Sequence, residues 1–63
     1  MELSREGSNI VFRMIQEMIG IKYCYRELIE GCYQGIVRNH GLPEAPEGQD
    51  VIVDIVTEHM REM

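Results

Sequence analysis

From Asn9 to Asn39 the apolar residues recur at helical spacing. With Val11 at position a of a heptad, Val11, Met18, Tyr25 and Cys32 fall at a, Met14, Ile21 and Leu28 at d, and Ile15, Ile29 and Ile36 at e, with Lys22 and Gly35 interrupting. A face built from a, d and e positions marks a core-facing amphipathic helix, and alternation of period two fits the segment poorly. The c and f positions are polar (Arg13, Gln16, Glu27, Glu30, Gln34), and Arg13/Glu17 and Arg26/Glu30 stand four apart, worth about 0.2–0.5 kcal/mol per pair. Phe12, Ile19 and Tyr33 at b, with Ile10 and Cys24 at g, widen the apolar surface beyond one stripe. The pattern predicts one helix over residues 9–39, about 46 Å long if unbroken. Gly20, at an outer c position where it costs about 1 kcal/mol relative to alanine, marks the alternative to an unbroken helix, a kink or a division into two.

The ends of the pattern carry their own signals. Residues 1–8 hold no stripe and read as a flexible N-terminal tail, with Gly7 followed by Ser8 or Asn9 to start the helix. Asn39-His40-Gly41-Leu42-Pro43 reads as a helix end: Gly41 takes the left-handed conformation, Leu42 folds back on the last turn, and Pro43 prevents continuation. Residues 43–49 form a polar connector long enough to reverse the chain. Beyond it, the β-branched run Val51-Ile52-Val53 suits a strand, yet Ile52, Ile55, Val56, His59 and Met63 keep helical spacing. A lone strand would have no partner, and Asp50 is a good N-cap, so residues 50–63 are expected to form a second helix about 20 Å long.

The expected fold is therefore all-α: a single domain over residues 1–63, built as a helical hairpin of one long and one short helix. A core of this size is marginal without disulfides, a metal or oligomerisation. Cys24 and Cys32 stand eight residues apart on one predicted helix, roughly 12 Å along its axis, too far to bridge. With His40 and His59 they make no zinc-ligand spacing, so neither metal nor cofactor is expected. Oligomerisation remains, and the hairpin is expected to pair with its own copy as a homodimer or higher oligomer. The expected interface is Val11, Met14, Ile15, Met18, Ile21, Tyr25, Leu28, Ile29, Cys32, Gly35 and Ile36. Gly31 and Gly35, one turn apart on or beside the stripe, would let another backbone approach closely.

Charge changes the picture of partners. The formal net charge is −5, but residues 1–43 balance five acids (Glu2, Glu6, Glu17, Glu27, Glu30) against five bases (Arg5, Arg13, Lys22, Arg26, Arg38). Residues 44–63 hold Glu44, Glu47, Asp50, Asp54, Glu58 and Glu62 against Arg61 alone. No basic face exists to release counterions, which disfavours direct contact with nucleic acid or anionic lipid. The start of the chain lacks a basic segment followed by an apolar run, and charged residues break both apolar segments well short of a membrane span. A cytoplasmic location is expected.

Catalytic chemistry has few candidates. Ser4 and Ser8 fall in or beside the expected tail, Cys24 and Cys32 on or next to the apolar stripe, and His40 at a helix end, with no base held beside a nucleophile and no glycine-rich phosphate loop. The expectation is a non-enzymatic protein-interaction module that binds and regulates or inhibits a partner protein while working as a homo-oligomer. The candidate partner contacts are Tyr23 and Tyr33, which leave the main stripe, and the carboxylate ridge Asp50, Asp54, Glu58 and Glu62, spaced four apart. That ridge supports the alternative of an acidic nucleic-acid mimic, blocking the basic groove of a nucleic-acid-binding protein such as a nuclease or defence effector.

Overall fold

A computed structural model describes residues 2–22 and 25–62. They form three α-helices: α1 (Arg5–Glu17), α2 (Arg26–Asn39) and α3 (Gln49–Arg61), with no strand among the described residues. The fold is all-α as expected, and residues 51–57 are helical. The single helix expected over 9–39 is instead two, divided where Gly20 stands. Gly20 takes φ +87°, a left-handed conformation that ends a helix and that glycine adopts without the steric cost a Cβ brings. The molecule measures 28 × 27 × 17 Å, so a 31-residue helix about 46 Å long would have extended far beyond it.

Each helix packs on the other two. The core is made of Ile10, Met14 and Met18 from α1 and its C-cap, Ile29, Tyr33 and Ile36 from α2, Ala45 from the α2–α3 connector, and Ile52, Val53 and Val56 from α3. Leu3, Val11, Cys32, Val37, Leu42 and Met60 close over it. The accessible surface is 4498 Å², against about 10,600 Å² for an extended chain of this mass, so close to three-fifths is hidden, the share usual for a domain of about 60 residues. The three helices thus enclose a shared core.

Local chemistry sets the ends of the helices. At the end of α2, Gly41 (φ +60°) lets Leu42 N–H bond back to the Val37 carbonyl at 3.1 Å, the backbone pattern of a Schellman cap. The start of α3 differs from expectation. Gly48, with φ +95°, occupies the N-cap position and Asp50 lies inside the first turn, where its charge complements the helix dipole without capping. The expected tail is also shorter. Ser4 caps α1 by accepting the Gly7 N–H at 2.9 Å, and the helix begins at Arg5.

Candidate functional site

The outer face of α1 carries one large apolar side chain, Phe12, among polar ones. At 100° per residue, the apolar arc running from Ile10 through Met14, Val11 and Ile15 to Phe12 spans roughly 200°, where a core-facing helix needs an arc little wider than 100°. Ile10 and Met14 are fully buried, Val11 and Ile15 half-buried, and Phe12 is 63% exposed on the side away from the core. Ile19, seven residues on in the turn that follows α1, is 69% exposed. Tyr25 (61%) at the N-cap of α2 and Leu28 in its first turn are also exposed. Charges within residues 12–28 are Arg13, Lys22 and Arg26 against Glu17 and Glu27, and Asp50 and Asp54 of α3 stand against Arg26.

The residues expected at an oligomer interface separate into three groups. Met14, Met18, Ile29 and Ile36 are at most 2% exposed within the single chain; the chain's own helices cover them, and they are not available to a second copy. Val11 and Cys32 are half-buried against the core, and Ile15 and Gly35 are half-buried. Ile21, Tyr25 and Leu28 are exposed. A Cβ built on Gly31 or Gly35 meets nothing within 4 Å, so no close backbone approach within the chain uses that pair. Cys32 is a free thiol whose pKa is raised, first by burial and then by the charge of Glu17, which makes it a poor nucleophile.

The expected partner contacts fare differently. Tyr33 was expected to point away from the core and is instead 3% exposed, its hydroxyl accepting the Ala45 N–H at 3.2 Å. The turn of α2 relative to the heptad frame brings position b inward once the long helix divides. Tyr23 lies outside the described residues. The carboxylate ridge is partly engaged: Arg26 of α2 pairs with Asp54 and reaches Asp50 at 3.7 Å. Its guanidinium pKa is raised mainly by the bond to Asp54. Glu58 and Glu62 are exposed.

A second constellation escaped the reading of the sequence. The Glu47 carboxylate accepts the Ser4 backbone N–H and, at 2.8 Å, the Ser4 hydroxyl. In a capping box the third helical residue supplies an acidic side chain that reaches back to the N-cap N–H. Here that position is Gly7, and Glu47, 43 residues away in the chain, takes the role. Gly7 makes room for it, since a Cβ at residue 7 would stand 2.8 Å from Glu47 Oε1. The Glu47 pKa is lowered, first by the Ser4 N–H, then by the Ser4 hydroxyl and its own backbone N–H. The available signal was Ser4 three residues before a glycine, which names a cap but not the distant carboxylate.

Little else offers room for chemistry. An open recess of about 410 Å³ lies among Tyr33, Gln34, Val37, Arg38, Glu44 and Gln49. Among the described residues no three His, Cys, Asp or Glu side chains gather as a ligand group. No helix of those residues is long and apolar enough to cross a membrane. Comparison of the chain with protein-family models, with curated proteins and with solved structures finds no match.

Proposed function

We propose that this chain is a non-enzymatic protein-interaction module whose contact surface is the outer face of α1 together with the α1–α2 connector. The observation that carries this reading is Phe12: a large aromatic side chain 63% exposed on a helix whose other face already completes the core. Aromatic residues are enriched where protein surfaces meet, and the largest exposed apolar area on a small domain is often a functional one. Regulation or inhibition of that partner is the mode of action, through occupancy of its surface. The acidic-mimic alternative has less support, because Arg26 already engages half of the ridge at Asp50 and Asp54.

Incorporating a photo-crosslinking phenylalanine analogue at position 12, and separately at position 58, tests this in cells expressing the full chain. A discrete protein adduct from position 12 and none from 58 is the expected result. An adduct from position 58 alone would move the contact surface to the acidic ridge. Absence of any adduct from either, or turnover of a substrate by the purified chain, would overturn the reading.

A further inference from the structure

We infer that the recess between the end of α2 and the start of α3 binds a free α-amino acid, Arg38 taking its carboxylate and Glu44 its ammonium group. The recess, about 410 Å³ and lined by Tyr33, Gln34, Val37, Arg38, Glu44 and Gln49, falls in the range of about 300–1,000 Å³ usual for small-molecule sites. These residues come from the last two turns of α2, the α2–α3 connector and the first position of α3. The site therefore does not depend on the contact surface proposed for α1.

Charge selects the ligand first. Arg38 and Glu44 line one recess with opposite signs, yet among the described residues neither forms an ion pair or a side-chain hydrogen bond, with the other or with a neighbour. A guanidinium and a carboxylate kept apart across an open space complement a zwitterion. A simple anion seated there would meet Glu44 and a simple cation would meet Arg38, each a like-charge contact that disfavours the wrong ligand. Arginine also presents the planar donor fork that carboxylates accept best.

Hydrogen bonding and polarity narrow the choice further. The Tyr33 hydroxyl accepts the Ala45 N–H at 3.2 Å, and among the described residues its own proton has no acceptor. A phenol has that one donor to give, and a carboxylate oxygen in the recess can take it. Gln34 donates to Gln49 at 3.3 Å and Gln49 to Glu30 at 3.5 Å, so the two amides are held across α2 and α3. Val37 is the one wholly apolar residue of the lining, which gives an apolar molecule little to gain and favours a short, charged one. Such a ligand, held by Arg38 of α2 and Glu44 of the connector, binds only the folded chain and should raise its thermal midpoint in proportion to occupancy.

The test is a titration of the isotope-labelled full chain with each of the standard free L-amino acids to about 10 mM, read by backbone amide chemical shifts. At least one should saturate, with the shift changes concentrated in residues 33–38 and 44–49. The N-acetyl form of that amino acid loses the ammonium charge and its carboxamide loses the carboxylate, so each should bind about tenfold or more weakly. In Glu44→Gln the preference over the N-acetyl form should vanish, and in Arg38→Gln the preference over the carboxamide, the pairing that a coupled cycle reveals. Glu58→Gln, exposed elsewhere on α3, should bind as the wild type does. Arg38 and Glu44 are exposed, so both variants should keep their helicity; if one does not, the three ligand forms on the unaltered chain carry the test. Several results would overturn the inference: no saturable shift with any amino acid, shifts centred away from the recess, or N-acetyl or carboxamide forms that bind as tightly as the parent. Acetate competing as well as the amino acid would overturn it too, reducing the recess to an anion site at Arg38.

Discussion

The two connectors of this bundle are built in opposite ways. Residues 40–48, between α2 and α3, are tied to every helix. Leu42 bonds back to Val37, the Ala45 N–H reaches the Tyr33 hydroxyl, Gly48 bonds to Ala45, and Glu47 crosses to Ser4 at the start of α1. Ala45 is itself part of the core. The described part of the α1–α2 connector turns on Gly20 and sends Ile19 and Tyr25 into solvent. The α2–α3 connector stores its specificity inside the molecule and the α1–α2 connector leaves apolar surface outside it. The contrast teaches where to look for function: a joint that spends its side chains on internal contacts holds the fold, and one that leaves them uncovered is free to meet a partner.

The largest expected effect tests whether the open connector ends where the core begins. Ile29 follows it by one turn and is fully buried. Ile29→Asp places an unpaired carboxylate there, at a cost of several kcal/mol, comparable with the whole stability of a domain this small. The variant should lose cooperative unfolding by circular dichroism. A folded Ile29→Asp would mean that the open joint extends further into α2 than its burial indicates, and the contrast between the connectors would fail.

A smaller effect should appear only at the tied connector. Tyr33→Phe keeps the ring in the core but removes the acceptor for the Ala45 N–H, leaving a buried donor without its bond at a cost of about 1–3 kcal/mol. Chemical denaturation should show a lower midpoint with an unchanged slope. The same substitution at Tyr25, 61% exposed at the open connector, should change stability by less than about 0.5 kcal/mol. Equal effects at the two positions would remove the distinction.

The sequence disclosed these two joints unequally, for a physical reason. Gly41-Leu42-Pro43 is a local instruction: a left-handed residue, an apolar residue that folds back, and a ring that cannot continue the helix, and the structure forms that cap. Gly20 carried only the first part of such an instruction, with helical spacing resuming beyond it. The stripe runs through because α1 and α2 both turn apolar faces to one core, and a periodicity shared by two successive helices looks like one long helix. Division also re-aims the faces, which is why Tyr33 and Ile10 went from flank to core while Tyr25 and Leu28 went from seam to surface. The Ser4–Glu47 contact was illegible because nothing local links residues 4 and 47; only the packed bundle brings them together. Among the candidate contacts, exposure of Glu58 and Glu62 could be read from helical spacing, while engagement of Asp50 and Asp54 by Arg26 needed the third helix.

Backbone strain offers a finer comparison, since each joint contains a left-handed glycine beside open space. Gly41→Ala and Gly20→Ala both meet nothing within 4 Å, so each should cost about 1 kcal/mol from the positive φ alone. Matching losses in denaturation would place the difference between the connectors in their side chains. A much smaller loss at Gly20 would show that the open joint relaxes to another backbone path, and that it is less determined than its partner.

The smallest effect concerns the carboxylate that ties the second connector to α1, and it is best read against pH. Glu47 holds its proton less readily than the ordinary value of 4.5 because the Ser4 N–H and hydroxyl both donate to it. A depressed folded-state pKa means the ionised carboxylate favours the fold. That contribution is complete above the ordinary value and disappears as pH falls through the lower folded one. Glu47→Gln keeps an acceptor oxygen for Ser4 but cannot ionise. The thermal midpoint of the wild type should therefore exceed that of the variant above the ordinary carboxylate range, and the gap should close as pH falls through the lowered folded-state value. Taking the difference between the two proteins cancels the other carboxylates, which titrate in both. Ser4→Ala should shrink the same pH-dependent gap, because it removes the hydroxyl donor while sparing the backbone one. A gap that stays constant down to pH values at which the folded protein's carboxylates are all protonated would mean that Glu47 acts through its shape alone, and the tie between the tight connector and α1 would then be packing without charge.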